Sequence, residues 1–137
     1  MGAKKSLFHH AWREAERHKY LASQKAGKDL GDRAIDEWQQ RYWTLWLRHR
    51  WLEHLLGDEC YKEFDPELLG VLSRRFGSLP LLREIVDQVR GGAENADVFA
   101  WAIRELRHIP PVVAILTEMR VNDIRCTRFC FGFARGK

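Results

Sequence analysis

The sequence predicts an all-α fold: a compact bundle of five or six helices around one long central helix, with an extended C-terminal tail. Three observations predict it. Apolar residues recur at spacings of three and four through most of the chain. Gly27, Gly57, Gly77 and the pair Gly91-Gly92 close the periodic runs, as glycine does at helix ends. Helix-starting residues, Asp32, Asp65-Pro66-Glu67 and Ser78, stand before those runs. At 137 residues the chain suits a single helical domain spanning 1–137, its tail covering about 121–137. With 45% hydrophobic and 31% charged residues it is neither disordered nor fibrous, and six Trp call for a core rich in rings.

The first helix spans 7–26, with Phe8, Trp12, Ala15, Leu21 and Ala22 forming a thin apolar stripe. Residues 27–31 read as a turn. The second helix, 32–56, starts at Asp32 as its cap and carries two apolar lines. One runs through Ile35, Trp38, Tyr42, Leu45, His49, Leu52 and Leu56; the other runs through Trp43, Trp46, Leu47 and Trp51. Two lines imply burial on more than one side, so this is the central helix. A third helix is expected from Asp65 to Phe76, burying Leu68, Leu69, Val71, Leu72 and Phe76. Ser78 should cap a fourth, about 79–90, that buries Leu81, Leu82, Ile85, Val86 and Val89. A fifth, about 94–108, should bury Val98, Phe99, Trp101, Ala102 and Leu106. Pro110-Pro111 breaks it and opens a sixth, about 111–120. The segment 124–133 alternates in part and reads as an extended arm or a lone strand.

Three cysteines, Cys60, Cys126 and Cys130, are too few and too irregular for a disulfide framework. No apolar run reaches the roughly 18 residues of a membrane span, and charges follow the N-terminal lysines where a signal peptide needs apolar residues. A reduced, cytoplasmic protein without a membrane partner is the expectation. Net charge is +4, unevenly spread: residues 1–31 carry +4, residues 58–92 carry −2 and residues 93–137 carry +2. Such a balance admits an anionic partner without demanding one.

Enzyme motifs are lacking: there is no nucleophile elbow, P-loop or dinucleotide fingerprint. Catalytic residues and cofactors are therefore not assigned. One Glu-x-x-His pair, Glu105 with His108, and one i,i+4 pair, His49 with Glu53, are the weak candidates for a metal site in a helical bundle. The second Glu-x-x-His motif that a di-metal bundle needs is missing, so the expectation is no metal. Nucleic acid is the alternative partner. It is suggested by Arg41, Arg48 and Arg50 among the rings of the central helix, and by a tail with Arg125 and Arg128 beside Phe129, Phe131 and Phe133. The reading preferred on sequence is a non-enzymatic adaptor or regulatory protein acting through a protein interface, or a homo-oligomer. Trp, Tyr, Phe and Arg exceed what one small core needs and are the residues of interface hot spots. The tail residues Arg125, Arg128, Phe129, Phe131 and Phe133 are the expected partner-binding set.

Overall fold

A computed structural model describes residues 5–120, and these form six packed helices without a strand. Helix α1 (Leu7–Ala26) is capped by Ser6, whose hydroxyl accepts the N–H of His9. It buries Leu7, Ala11 and Ala15, a stripe narrow enough to lie close along α2 (Asp32–Leu56). Both helices end where the sequence predicts. The cap of α2 differs: Gly31 holds that place and Asp32 is already helical, favourable to the positive helix end without bonding it.

Gly57 closes α2 at φ 88° and is also a point of close approach. A Cβ there would stand 3.3 Å from the Cα of Gly70, whose own N–H reaches the carbonyl of His54 at 2.8 Å. That docking explains a correction. The helix expected from Asp65 to Phe76 is two pieces, a 3-10 turn at Pro66–Leu68 and α3 (Val71–Phe76), separated by Gly70 at φ 72°. Asp65 still caps the first piece, accepting from Glu67 N. Leu72 and Phe76 are buried, whereas Leu68, Leu69 and Val71 are half-buried.

Helix α4 (Pro80–Arg90) starts after Leu79; Ser78 makes no cap, because Pro80 opens the first turn itself. It buries Leu82, Ile85, Val86 and Val89, with Leu81 half-covered. Helix α5 (Asn95–Arg104) opens on a reciprocal capping box between Glu94 and Asp97. It stops four residues earlier than expected. Arg107 N–H reaches back to Ala102 O at 2.8 Å and Leu106 N–H to Ile103 O, the paired bonds of a Schellman closure. Leu106 takes the left-handed position, φ 55°, and is 92% exposed instead of buried. The Arg107 guanidinium, held by both carboxylate oxygens of Glu84 at 2.7 Å, anchors this turn to α4. Helix α6 (Ile109–Met119) then carries Pro110 and Pro111 in its first turn, where no N–H is required.

The core is ring-rich, as six Trp imply. Trp43 stacks on Phe8 of α1 and on Trp46, with centroids 6.3 and 5.7 Å apart, and Trp38 meets both tryptophans. A second group joins Trp51, Tyr61 and His54 around Phe64. Helices α3 and α4 pack on α2, and α6 packs on α3, α4 and α5. The C-terminal half of α2 is accordingly enclosed: Arg48, Trp51, Leu52, His54 and Leu55 are all buried.

Its middle is not. The line of seven residues expected as one continuous buried face is broken, with Ile35, Trp38 and Leu52 buried but Tyr42 44% and Leu45 42% exposed. Burial passes instead to the other line, at Trp43 and Leu47. Periodicity marks a face that is apolar; it does not say whether a helix lies over it. Truncating Trp38 to Ala should therefore cost about 3–5 kcal/mol, and truncating Leu45 about 1 kcal/mol or less, by urea unfolding. Equal costs at the two sites would show that the middle of α2 is covered.

Candidate protein-binding face

The exposed run on α2 consists of Gln40, Arg41, Tyr42, Thr44 and Leu45, bordered by the half-buried Trp46 and His49. Each border is fixed by a specific contact. On the α1 side, the His18 ring meets Tyr42 edge-on at 5.6 Å, and His18 Nε2 lies 2.8 Å from Glu37 Oε1. That hydrogen bond, more than the nearby Arg41, holds the Glu37 carboxyl below its usual range. Toward the bundle, His49 Nε2 donates to the carbonyl of Arg90 at 2.8 Å, closing the last turn of α4 against α2. Arg48, 3% exposed, donates to Glu94 Oε2 at 2.8 Å and to Ala93 O at 3.3 Å, tying α2 to the start of α5. Its Nε has no hydrogen-bond partner. Arg50 lies over the Trp46 ring at 5.3 Å, and its Nε stands 3.0 Å from Glu53 Oε1 as an ion pair without hydrogen-bond geometry.

The result is a rigid helical surface with one aliphatic and one phenolic side chain exposed, rings beside them and polar groups tied down at the edges. Such a surface suits apolar burial with a hydroxyl and a guanidinium to fix orientation. Of the three arginines on α2 that suggested nucleic acid, Arg48 is buried and paired, Arg50 is half-buried, and Arg41 is exposed.

The residues suggested for a metal site have other work. His49 is bonded to the Arg90 carbonyl, and Glu53 accepts the Tyr61 hydroxyl at 2.7 Å. Glu105 ends α5 and His108 precedes α6, both exposed. Among the described residues no group of three or more His, Cys, Asp or Glu is arranged to hold a metal ion. The residues expected to bind a partner, Arg125, Arg128, Phe129, Phe131 and Phe133, lie outside the described residues, as do Cys126 and Cys130. Cys60 is a free, half-buried thiol. No helix among the described residues is long and apolar enough to cross a membrane.

Two other features lie apart from this face. A cleft of about 730 Å³ between the end of α2, α3 and α4 is lined by Ser73, Arg83, Glu84, Asp87 and Arg90 among apolar residues. Its charges are of both signs, the Ser73 hydroxyl is already donated to Leu56 O at 2.7 Å, and no histidine lines the cleft to activate Ser78. The buried cluster of His54, Tyr61 and Glu53 is internally bonded, and burial followed by the Glu53 contact pushes the Tyr61 phenol far up. That cluster holds a loop, not a substrate.

No family model, curated protein or solved structure matches this chain. The geometry alone carries the functional argument. Tyr42 and Leu45 carry the spacing of core residues in the sequence, and the structure leaves both exposed. A signal was present: α1 offers a single narrow stripe, too little to cover two apolar lines of α2.

Proposed function

We propose that this protein is a non-enzymatic adaptor or regulatory protein that binds another protein through the exposed middle of α2. The observation that supports this reading is the bare stretch itself, Tyr42 and Leu45 open on a helix whose apolar line is buried above and below them. Tyr42 and Leu45, one turn apart beside the half-buried Trp46, form an apolar patch rather than a scattered leucine, and such patches mark interaction sites. The half-buried Trp46, with Arg41 at the rim, matches the composition of interface hot spots. A reduced cytoplasmic setting fits three cysteines that make no disulfide framework.

The test is co-purification from the source lysate, with and without nuclease, comparing the natural chain with Leu45→Arg. A protein that survives nuclease and is lost with Leu45→Arg is the expected result. Loss of all associated material on nuclease treatment would favour nucleic acid and overturn the proposal. Retention by the Leu45→Arg chain would remove this face from the function.

A further inference from the structure

Leu106 is 92% exposed and holds a left-handed backbone, φ 55°. That conformation costs a leucine free energy and a glycine very little, which is why helices commonly close on a glycine. No burial of the side chain offsets the cost within one molecule. The residue is nevertheless held firmly. Its N–H meets Ile103 O at 3.2 Å, and the neighbouring Arg107 guanidinium lies over the Trp101 ring at 5.0 Å while Glu84 grips it. With Ile103, 66% exposed and three residues earlier, Leu106 makes a rigid apolar knob at the end of α5.

The knob stands beside a hole. Glu84, which grips Arg107, also lines the cleft of about 730 Å³ between the end of α2, α3 and α4. Leu56, Leu79 and Leu82 give that cleft apolar walls, and Leu79 is 40% exposed. At 92% exposure Leu106 does not enter its own cleft. A knob and a cleft joined by one ion pair can be exchanged between two copies about a two-fold axis, each knob entering the other chain's cleft. Repetition also serves area. One knob in one cleft is a small contact, and two in one interface bring it toward the roughly 1,200–2,000 Å² of a stable pair.

Charge fits the same exchange. Arg104 and Glu105 flank the knob and are exposed; Arg83 and Asp87 line the cleft and are exposed. Arg83, Asp87 and Arg104 form no ion pair among the described residues. Each side therefore offers a cation and an anion, and setting Arg104 against Asp87 and Glu105 against Arg83 pairs all four.

We infer that two copies of this chain pair about a two-fold axis, the knob of Ile103 and Leu106 on each seated in the cleft between α2, α3 and α4 of the other. The exposed leucine is then buried, and its burial offsets the strained backbone that presents it. This surface is separate from the exposed middle of α2, and neither reading depends on the other.

Sedimentation equilibrium of the full-length chain across a range of concentrations tests it. The natural chain should pass from the mass of one chain to that of two and stop there, because a two-fold contact closes on itself. A single-chain mass up to about 1 mM overturns the inference, and so does growth past two chains. Leu106→Gly should weaken the pair by about thirtyfold or more. Its urea midpoint in dilute solution should not fall, because glycine takes φ 55° without strain. Leu79→Arg should weaken the pair from the cleft side. Mixed together, the two variants should pair better than either does alone, since one intact knob then meets one intact cleft. An unchanged pair in Leu106→Gly, or a mixture no better than its parts, overturns the inference. A Leu79→Arg chain that pairs as the natural chain does assigns the contact to knob against knob and overturns it as well.

Discussion

Replacing Trp51 by Ala should destabilise the protein by about 3–5 kcal/mol, a large part of the roughly 5–15 kcal/mol that holds a typical domain. Trp51 is 6% exposed and sits where α2, the loop carrying Phe64 and the end of α6 meet. Its ring takes the edge of Phe64 at 5.0 Å and stacks toward His54, and its indole N–H donates to Met119 O at the end of α6. Truncation leaves a cavity and an unpaired buried carbonyl together. Trp51→Phe separates the two: it keeps most of the ring area and loses the donor, at a cost of about 1–3 kcal/mol. Urea unfolding measures both. A loss below about 1 kcal/mol for Trp51→Ala would mean that α6 does not close onto α2 as described.

The second large effect is expected at His54, which is fully buried. Its Nδ1 accepts the Tyr61 N–H at 3.3 Å, so its Nε2 carries the proton and donates to Asp65 O at 2.8 Å. The neutral ring satisfies both neighbours. An imidazolium would set a second proton against the Tyr61 N–H, and burial itself pushes the His54 pKa below its ordinary value of about 6.5, against a smaller opposing pull from Asp65. Below the ordinary value the unfolded chain takes up the proton first. The His54 contribution is therefore complete above about pH 6.5 and is lost as pH falls through the lowered folded value. His10, lowered first by burial and then by Lys5, acts in the same direction.

His54→Leu should cost about 2–4 kcal/mol at pH 7.5, because it leaves the buried Tyr61 N–H without its acceptor and opens a polar gap beside the Asp65 carbonyl, which keeps only the Leu68 N–H at 3.1 Å. It should also flatten the fall in stability between pH 7.5 and 5.5, leaving the part due to His10. An unchanged pH slope would show that His54 is not the titrating group. The loop that His54 holds also clasps α1. Lys5 and residues 60–62 exchange backbone bonds of 2.8 and 3.0 Å, and the Glu63 carboxylate accepts from Leu7 N and Ser6 Oγ. Loosening in acid is thus expected to begin at the start of α1, which hydrogen exchange resolves.

Much of this architecture is legible in the sequence because its signals are local. Gly27 and Gly57 end their helices by taking a backbone conformation that other residues resist, so α1 and α2 were bounded correctly from residue type alone. Gly70 breaks the helix expected from Asp65 to Phe76. Its left-handed turn is needed only because the chain there closes on Gly57, a contact between residues distant in sequence. Leu106 misled for a related reason: leucine in the left-handed position carries no sequence signature, and the closure is held from outside by the grip of Glu84 on Arg107. The exposed middle of α2 is the least legible part. Tyr42 and Leu45 have the spacing of core residues, and whether they are core depends on how far α3 to α6 reach along α2. Arg48 misled in the opposite sense, a charged residue read as accessible that is among the most buried on its helix.

The central claim is that Leu45 serves binding and not folding, and the affinity of the captured protein partner for the Leu45→Ala chain tests it most directly. Calorimetric titration against the natural chain should show the dissociation constant weakened by about thirtyfold or more, the loss of roughly 2 kcal/mol that marks a hot spot. The unfolding free energy of the same variant should stay within about 1 kcal/mol of the natural chain. An unchanged dissociation constant, or a weakening matched by an equal loss of folding stability, would contradict the account.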